Sequence, residues 1–301
     1  MKKPIAVWVC SNSAIDYITH SPDIQVLRST INFQSSPEVY NDYIDMDSDT
    51  FYKHLEEFPD DIPKTAYISI GKVEELVEEA ISKGIKDVIV ILISSDLSGL
   101  YNFFEHYATQ VKDRGINLHP FDSKTLVFGE TFMAITATNM IELGCDVSEI
   151  LEVLQVIKEN NTITFAVDSL KYLVVNGRLS KSSAMVGNLL KMKPLLELND
   201  GKVVALERIR TTKMAINKMI EHYFQQTENK NIFTYITHAI NLEEATRIKQ
   251  IILDKYPDRQ VVICPLSPVV GAHAGPKAIG IGTIDITKLS RFNQDYFKIK
   301  E

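Results

Sequence analysis

Cysteine is scarce in this chain. Cys10, Cys145 and Cys264 are the only three in 301 residues. They form no CxxC and no disulfide-dense spacing, so they read as reduced, packing thiols and the chain as cytoplasmic. Long hydrophobic runs are missing too, and nothing approaches the roughly 20 apolar residues of a membrane span. Lys2 and Lys3 precede a short apolar run that meets Ser11-Asn12-Ser13 at once, which is not a secretory leader. Positive charge is in deficit: 32 Lys and Arg against 39 Asp and Glu leave a net charge of −7. Such a chain has no global field for gathering DNA or RNA, and nucleic acid is not an expected partner. Several chemical signatures are also absent. There is no GxxxxGK[ST] or GxGxxG for phosphates and dinucleotides, no HExxH, and no GxSxG nucleophile elbow. The seven histidines show no metal-ligand spacing. No catalytic residue, metal or cofactor is therefore assigned.

What is present is the material of a folded α/β protein, with 45% hydrophobic and 24% charged residues. Residues 5–9 and 88–93 read as buried strands. Between them Val73, Leu76, Val77, Ala80 and Ile81 recur at helical spacing, ended by Gly84. Leu100, Phe103, Phe104, Tyr107, Ala108 and Val111 mark a second helix, followed by a strand at 116–121 and a long helix up to Gly144. This alternation predicts a doubly wound, mainly parallel sheet with right-handed crossovers. From about residue 162 the grammar changes. Strand 163–167 leads to a short helix stopped by Gly177. Asn199-Asp200-Gly201-Lys202 then joins two apolar runs as a hairpin. Helices at 212–228 and 242–256 alternate with strands near 232–236, 261–264 and 278–286. The expected architecture is two domains: an N-terminal doubly wound α/β domain at 1–163 and a smaller mixed-sheet α/β domain at 164–301.

Three segments carry candidate chemistry. Ile93-Ser94-Ser95-Asp96-Leu97-Ser98-Gly99 links a buried strand to a helix. Ligands in open parallel sheets bind outside the carboxyl ends of strands, and a helix N-terminus there suits an anion. The alternative is that the serines only cap the helix. Val270-Gly271-Ala272-His273-Ala274-Gly275-Pro276 places one histidine among small residues. It could donate to an anion or serve as acid or base, or be structural. Arg178, in Asn176-Gly177-Arg178-Leu179-Ser180, could pair with an anionic ligand or with a carboxylate of the protein. Arg208, Arg210 and Lys213 read either as a solvated basic face or as a dock for an acidic partner.

The order of these segments resembles the DegV family across nearly the whole chain. Ser94-Ser95-Asp96-Leu97-Ser98-Gly99-Leu100-Tyr101 is similar to the family's SSxLSGTY, and Gly271-Ala272-His273-Ala274-Gly275-Pro276 to its GxHxGPG. Further matches are Asp122-Ser123-Lys124, Asp168-Ser169-Leu170-Lys171-Tyr172-Leu173, Lys193-Pro194-Leu195-Leu196 and Arg210-Thr211-Thr212-Lys213. The resemblance implies two α/β domains trapping one long-chain fatty acid, presented to the catalytic subunit of a fatty acid kinase, with transient membrane contact. It implies that Thr65, Ser94, Ser95, Ser98 and His273 hold the carboxylate and that Arg210 and Lys213 engage the kinase. The chain departs from the family where TSQPS reads Thr65-Ala66-Tyr67-Ile68-Ser69. It departs again where Asp-Ser-Thr reads Ser11-Asn12-Ser13, where Lys277 replaces a glycine, and at Asn176. Two other readings stay open: a hydrolase or acyl-transfer enzyme using Ser95 and His273, and a regulatory or interaction paralogue without ligand.

Overall fold

The structure, a computed structural model, describes residues 4–179 and 192–299. Four parallel strands form the first sheet in the order β2-β1-β6-β7: Ile24–Leu27, Ile5–Cys10, Asp87–Leu92 and Asn117–Asp122. Their side chains alternate between two cores. Trp8, Cys10, Val88, Val90 and Leu92 pack under the helices Ile70–Ser82 and Leu100–Val111. Val7, Val9, Ile89 and Ile91 face the other way, toward the helix Phe128–Glu142. That helix has 13 of its 15 residues buried. It is buried on nearly every side because it lies between the two sheets, touching both β1 and the later strand β13 (Ile279–Asp285). Helices thus cover both faces of a parallel sheet, as the alternating pattern predicts.

Six strands form the second, mixed sheet in the order β10-β9-β8-β13-β11-β12. Here β8 is Asn161–Ala166, β9 Leu195–Asn199, β10 Lys202–Glu207, β11 Ile232–His238 and β12 Val261–Pro265. The expected division between residues 163 and 164 falls inside β8, all of which pairs with β13 in this sheet. The sheets therefore divide before Asn161. Helices Thr212–Thr227 and Leu242–Lys255 close one face of the mixed sheet, and the other face meets the N-terminal half. The β9–β10 hairpin turns through Asp200 and Gly201 with φ of +46° and +81°, the left-handed pair that a two-residue turn requires.

A third, small sheet is β4-β3-β5, made of Val39–Asn41, Thr30–Asn32 and Lys64–Ala66. Its strands, three residues each, carry no periodic signal in the sequence. The helix Pro268–Ala274 lies where the sequence shows only small residues around one histidine. Here the small residues serve close packing. A Cβ at Gly271 would stand 2.5 Å from the Tyr52 hydroxyl and 2.7 Å from Phe51, so only glycine lets this helix approach the Ser48–Glu57 helix. This approach sets His273 opposite β5. Among the described residues, no helix is long and apolar enough to cross a membrane, and no three His, Cys, Asp or Glu converge as a metal group.

Candidate functional site

In the strand order β2-β1-β6-β7 the chain leaves β1 and β6 in opposite directions, which opens a crevice at their carboxyl ends. A cavity of about 480 Å³ occupies this crevice and extends between the two sheets. It lies within the size range of small-molecule sites. Asn12 and Ile93, just past β1 and β6, line it on one side, and Ile163, Phe165 and Ile279 of the mixed sheet on the other. Most of the wall is aliphatic.

The polar groups gather around His273. Its Nε2 lies 3.0 Å from Thr65 Oγ1, and its Nδ1 is buried with no hydrogen-bond partner. Burial, and then the positive charges of Arg178 and Lys64, push the His273 pKa down to about 3, so the ring is neutral near pH 7. One proton on the pair is then always unspent. If Thr65 donates to Nε2, the Nδ1–H is free; if Nε2–H donates to Thr65, the threonine hydroxyl is free. Arg178 lines the same cavity. Its Nε donates to the Leu97 carbonyl at 3.2 Å and its Nη1 to the Asn176 carbonyl, and no carboxylate pairs with it among the described residues. Lys64 likewise spends its ammonium on Asn176 Oδ1 at 2.9 Å and the Val175 carbonyl at 3.4 Å. Among the described residues neither cation has an acidic partner, and beside the neutral Thr65–His273 pair they make a candidate seat for one anion.

Asn176 holds this seat together. It is buried, accepts from Lys64, and donates to the Ala272 carbonyl at 2.8 Å and the Pro63 carbonyl at 3.3 Å. It thereby ties the segment before Thr65 to the helix bearing His273. In the sequence Asn176 stands out only as a departure from a glycine; its clamping contacts are with partners about a hundred positions away.

Of the expected site residues, the structure brings Thr65, Ser98 and His273 to one cavity. Ser98 accepts from the Leu100 N–H at 3.3 Å, which leaves its own proton for the cavity. Ser94 and Ser95 require correction. Ser94 is fully buried, donates to the Gly201 carbonyl at 2.8 Å, and accepts from the Asp96 N–H at 3.3 Å. Ser95 donates to Asp122 Oδ2 at 2.6 Å and accepts from Lys124 Nζ at 3.1 Å. Neither lines the cavity: their hydroxyls are committed to the hairpin turn and to the carboxylate ending β7. Arg210 and Lys213 are exposed around the start of the Thr212–Thr227 helix and form no ion pair among the described residues. Ser180 lies outside the described residues.

The scattered sequence matches also converge. Asp168 accepts from Lys193 Nζ at 3.2 Å and from Thr212 Oγ1 at 3.2 Å, joining three of the matched segments. The model of the DegV family, described as uncharacterised proteins, matches residues 5–285. The chain belongs to the DegV family. A DegV domain-containing protein of Clostridium acetobutylicum is 32% identical over 241 residues, 79% of this chain and 83% of its own length. Protein DegV of Bacillus subtilis is 32% identical over 247 residues, 81% of this chain and 86% of its own. The crystal structure of Bacillus subtilis DegV, named a fatty acid binding protein, superposes with a TM-score of 0.82 at 29% identity. That match covers 93% of this chain and 99% of the other. A stearic acid-binding protein from Eubacterium ventriosum shares the fold with a TM-score of 0.83 at 20% identity, over 96% and 100% of the two chains. The two-sheet α/β architecture described above is the DegV fold.

Proposed function

We propose that this DegV chain is a carrier that binds one long-chain fatty acid in the inter-sheet cavity and presents its carboxylate to a partner kinase for acyl-phosphate formation. The observation that carries the reading is the joining of an aliphatic cavity to one anion seat formed by Thr65, His273 and Arg178. The Bacillus subtilis relative, named for fatty acid binding, supports it. The energetics are apt. Each buried methylene contributes about 0.8 kcal/mol, so some 15 give on the order of 12 kcal/mol gross. Each hydrogen bond to the ionised head adds about 1.5–3 kcal/mol. The tail sets affinity and the seat sets orientation. Ser98 completes the seat from the N-terminal side. Arg210 and Lys213, exposed and without acidic partners among the described residues, form the surface that docks an acidic face of the kinase.

The hydrolase reading has less support. Ser95 is bonded to Asp122, and His273 faces Thr65 with no carboxylate on Nδ1 to orient it. A ring held neutral down to about pH 3 is also a weak base.

Native mass spectrometry of the purified protein, followed by extraction and identification of the released ligand, tests the carrier. One acyl chain per polypeptide is the expected result. Protein that neither retains nor takes up any acyl species refutes it. For the docking surface, Arg210→Ala should keep bound lipid and lose kinase-dependent phosphorylation; a variant that loses lipid instead reverses the assignment.

A further inference from the structure

The anion seat accounts for the cationic part of the cavity but not for a neutral polar wall elsewhere in it. Asn12 lines the cavity and is only 5% exposed. The one hydrogen bond of its side chain among the described residues runs from Nδ2 to Glu130 Oε2. Glu130 is fully buried on the first turn of the Phe128–Glu142 helix, and its Oε1 has no partner. Burial holds its carboxyl well above the usual carboxylate range. Ser29 lines the cavity beside them, its N–H donating to Ser11 Oγ at 3.2 Å. Thr237, on β11, is 3% exposed and lines the cavity with a buried hydroxyl that has no partner.

A primary amide has two N–H donors and a carbonyl acceptor. With one N–H fixed on Glu130, Asn12 keeps a donor and an acceptor for the ligand. A plain methylene chain lying against it would strand both in a water-excluded space, which is unfavourable. A hydroxyl group is itself one donor and one acceptor, and it answers both. A second anion is disfavoured, because Asn12, Ser29, Thr237 and Glu130 supply no positive charge.

We propose that the acyl chain taken by this cavity carries a hydroxyl group along its length, and that Asn12, positioned by Glu130, recognises it. This rests on the fatty-acid reading above and narrows it to hydroxylated acids.

The experiment is a competition. Full-length protein stripped of lipid is offered stearic acid together with each positional isomer of hydroxystearic acid, and the bound species are read by native mass spectrometry. One isomer should exceed stearic acid about tenfold, the effect of roughly 1.4 kcal/mol. Asn12→Leu, of similar size and without the amide, should bring that ratio to one or below. Stearic acid equal to or ahead of every isomer overturns the inference, as does a preference that survives Asn12→Leu. If that variant does not fold, the wild-type ranking decides: a single favoured position supports a fixed polar station, and a flat ranking refutes it. Stearic acid bound without preference removes this inference alone, whereas no acyl species bound at all removes the carrier reading with it.

Discussion

His273 couples the anion seat to pH. Its folded pKa, about 3, lies below the ordinary histidine value of 6.5, so between those values the unfolded chain binds the extra proton. The stability it contributes is therefore full above pH 6.5 and is lost as pH falls toward 3. Denaturation of wild type and His273→Gln at pH 7 and pH 4 should show a smaller acid loss in the variant; equal losses would mean that the ring is not the titrating group. Asp42 has the opposite sign. Burial raises its pKa to about 6 from 3.8, leaving Oδ2 without a partner while Oδ1 accepts from the Val269 N–H at 3.2 Å. Its favourable protonated form is lost as pH rises from 3.8 through 6. Asp42→Asn should accordingly gain stability relative to wild type at pH 7 compared with pH 4. At the seat itself, Thr65→Val removes one hydroxyl with little change of shape. It should weaken fatty-acid binding about tenfold, as expected for one hydrogen bond to an ionised group, measured by displacement of a fluorescent acyl probe. Unchanged affinity would place the carboxylate elsewhere.

The β9–β10 hairpin of the mixed sheet reaches the loop that follows β6. Its tip accepts the Ser94 hydroxyl at the Gly201 carbonyl, and Lys202 stands 3.6 Å from Asp96, which also pairs with Lys124 at 2.8 Å. Val203 and Leu97, flanking this contact, line the cavity. A Cβ at Gly201 would fall 2.2 Å from Ser94 Oγ, in a backbone with φ of +81°. Gly201→Ala should cost about 1–3 kcal/mol by chemical denaturation. Ser94→Ala, leaving a buried carbonyl unanswered, should cost a similar amount. Together they should cost less than the sum, because removing Oγ relieves the clash. Strict additivity would show that the two do not meet.

For the whole molecule, the cavity lies between two sheets that share one continuous core, so occupancy and global stability are linked. Stripping the lipid should lower the melting temperature, and adding fatty acid at 100 times its Kd should restore about 2.7 kcal/mol. A melting temperature indifferent to lipid would show that the cavity plays no part in holding the halves together.

The sequence by itself determined most strands of the two large sheets, though not the edge strand Ile24–Leu27, and several of their helices. Runs such as those at 5–10 and 87–92 bury both faces, Val73 to Ile81 marks one helical stripe, and the Asp200-Gly201 turn fixes its own hairpin. These signals are local, written in periods of two and 3.6 residues. Thr65, Ser98 and His273, which the family motifs single out, line one cavity in the structure. Only the tertiary structure decided the rest. The strands Thr30–Asn32, Val39–Asn41 and Lys64–Ala66 are too short to show a period, and they exist through pairing with distant partners. The same holds for the serines of the β6 loop, which look alike in sequence. Which hydroxyl turns to Gly201, which to Asp122 and which to the cavity depends on residues brought from up to 107 positions away. A hydrogen bond is a property of two partners, and the chain alone names only one of them.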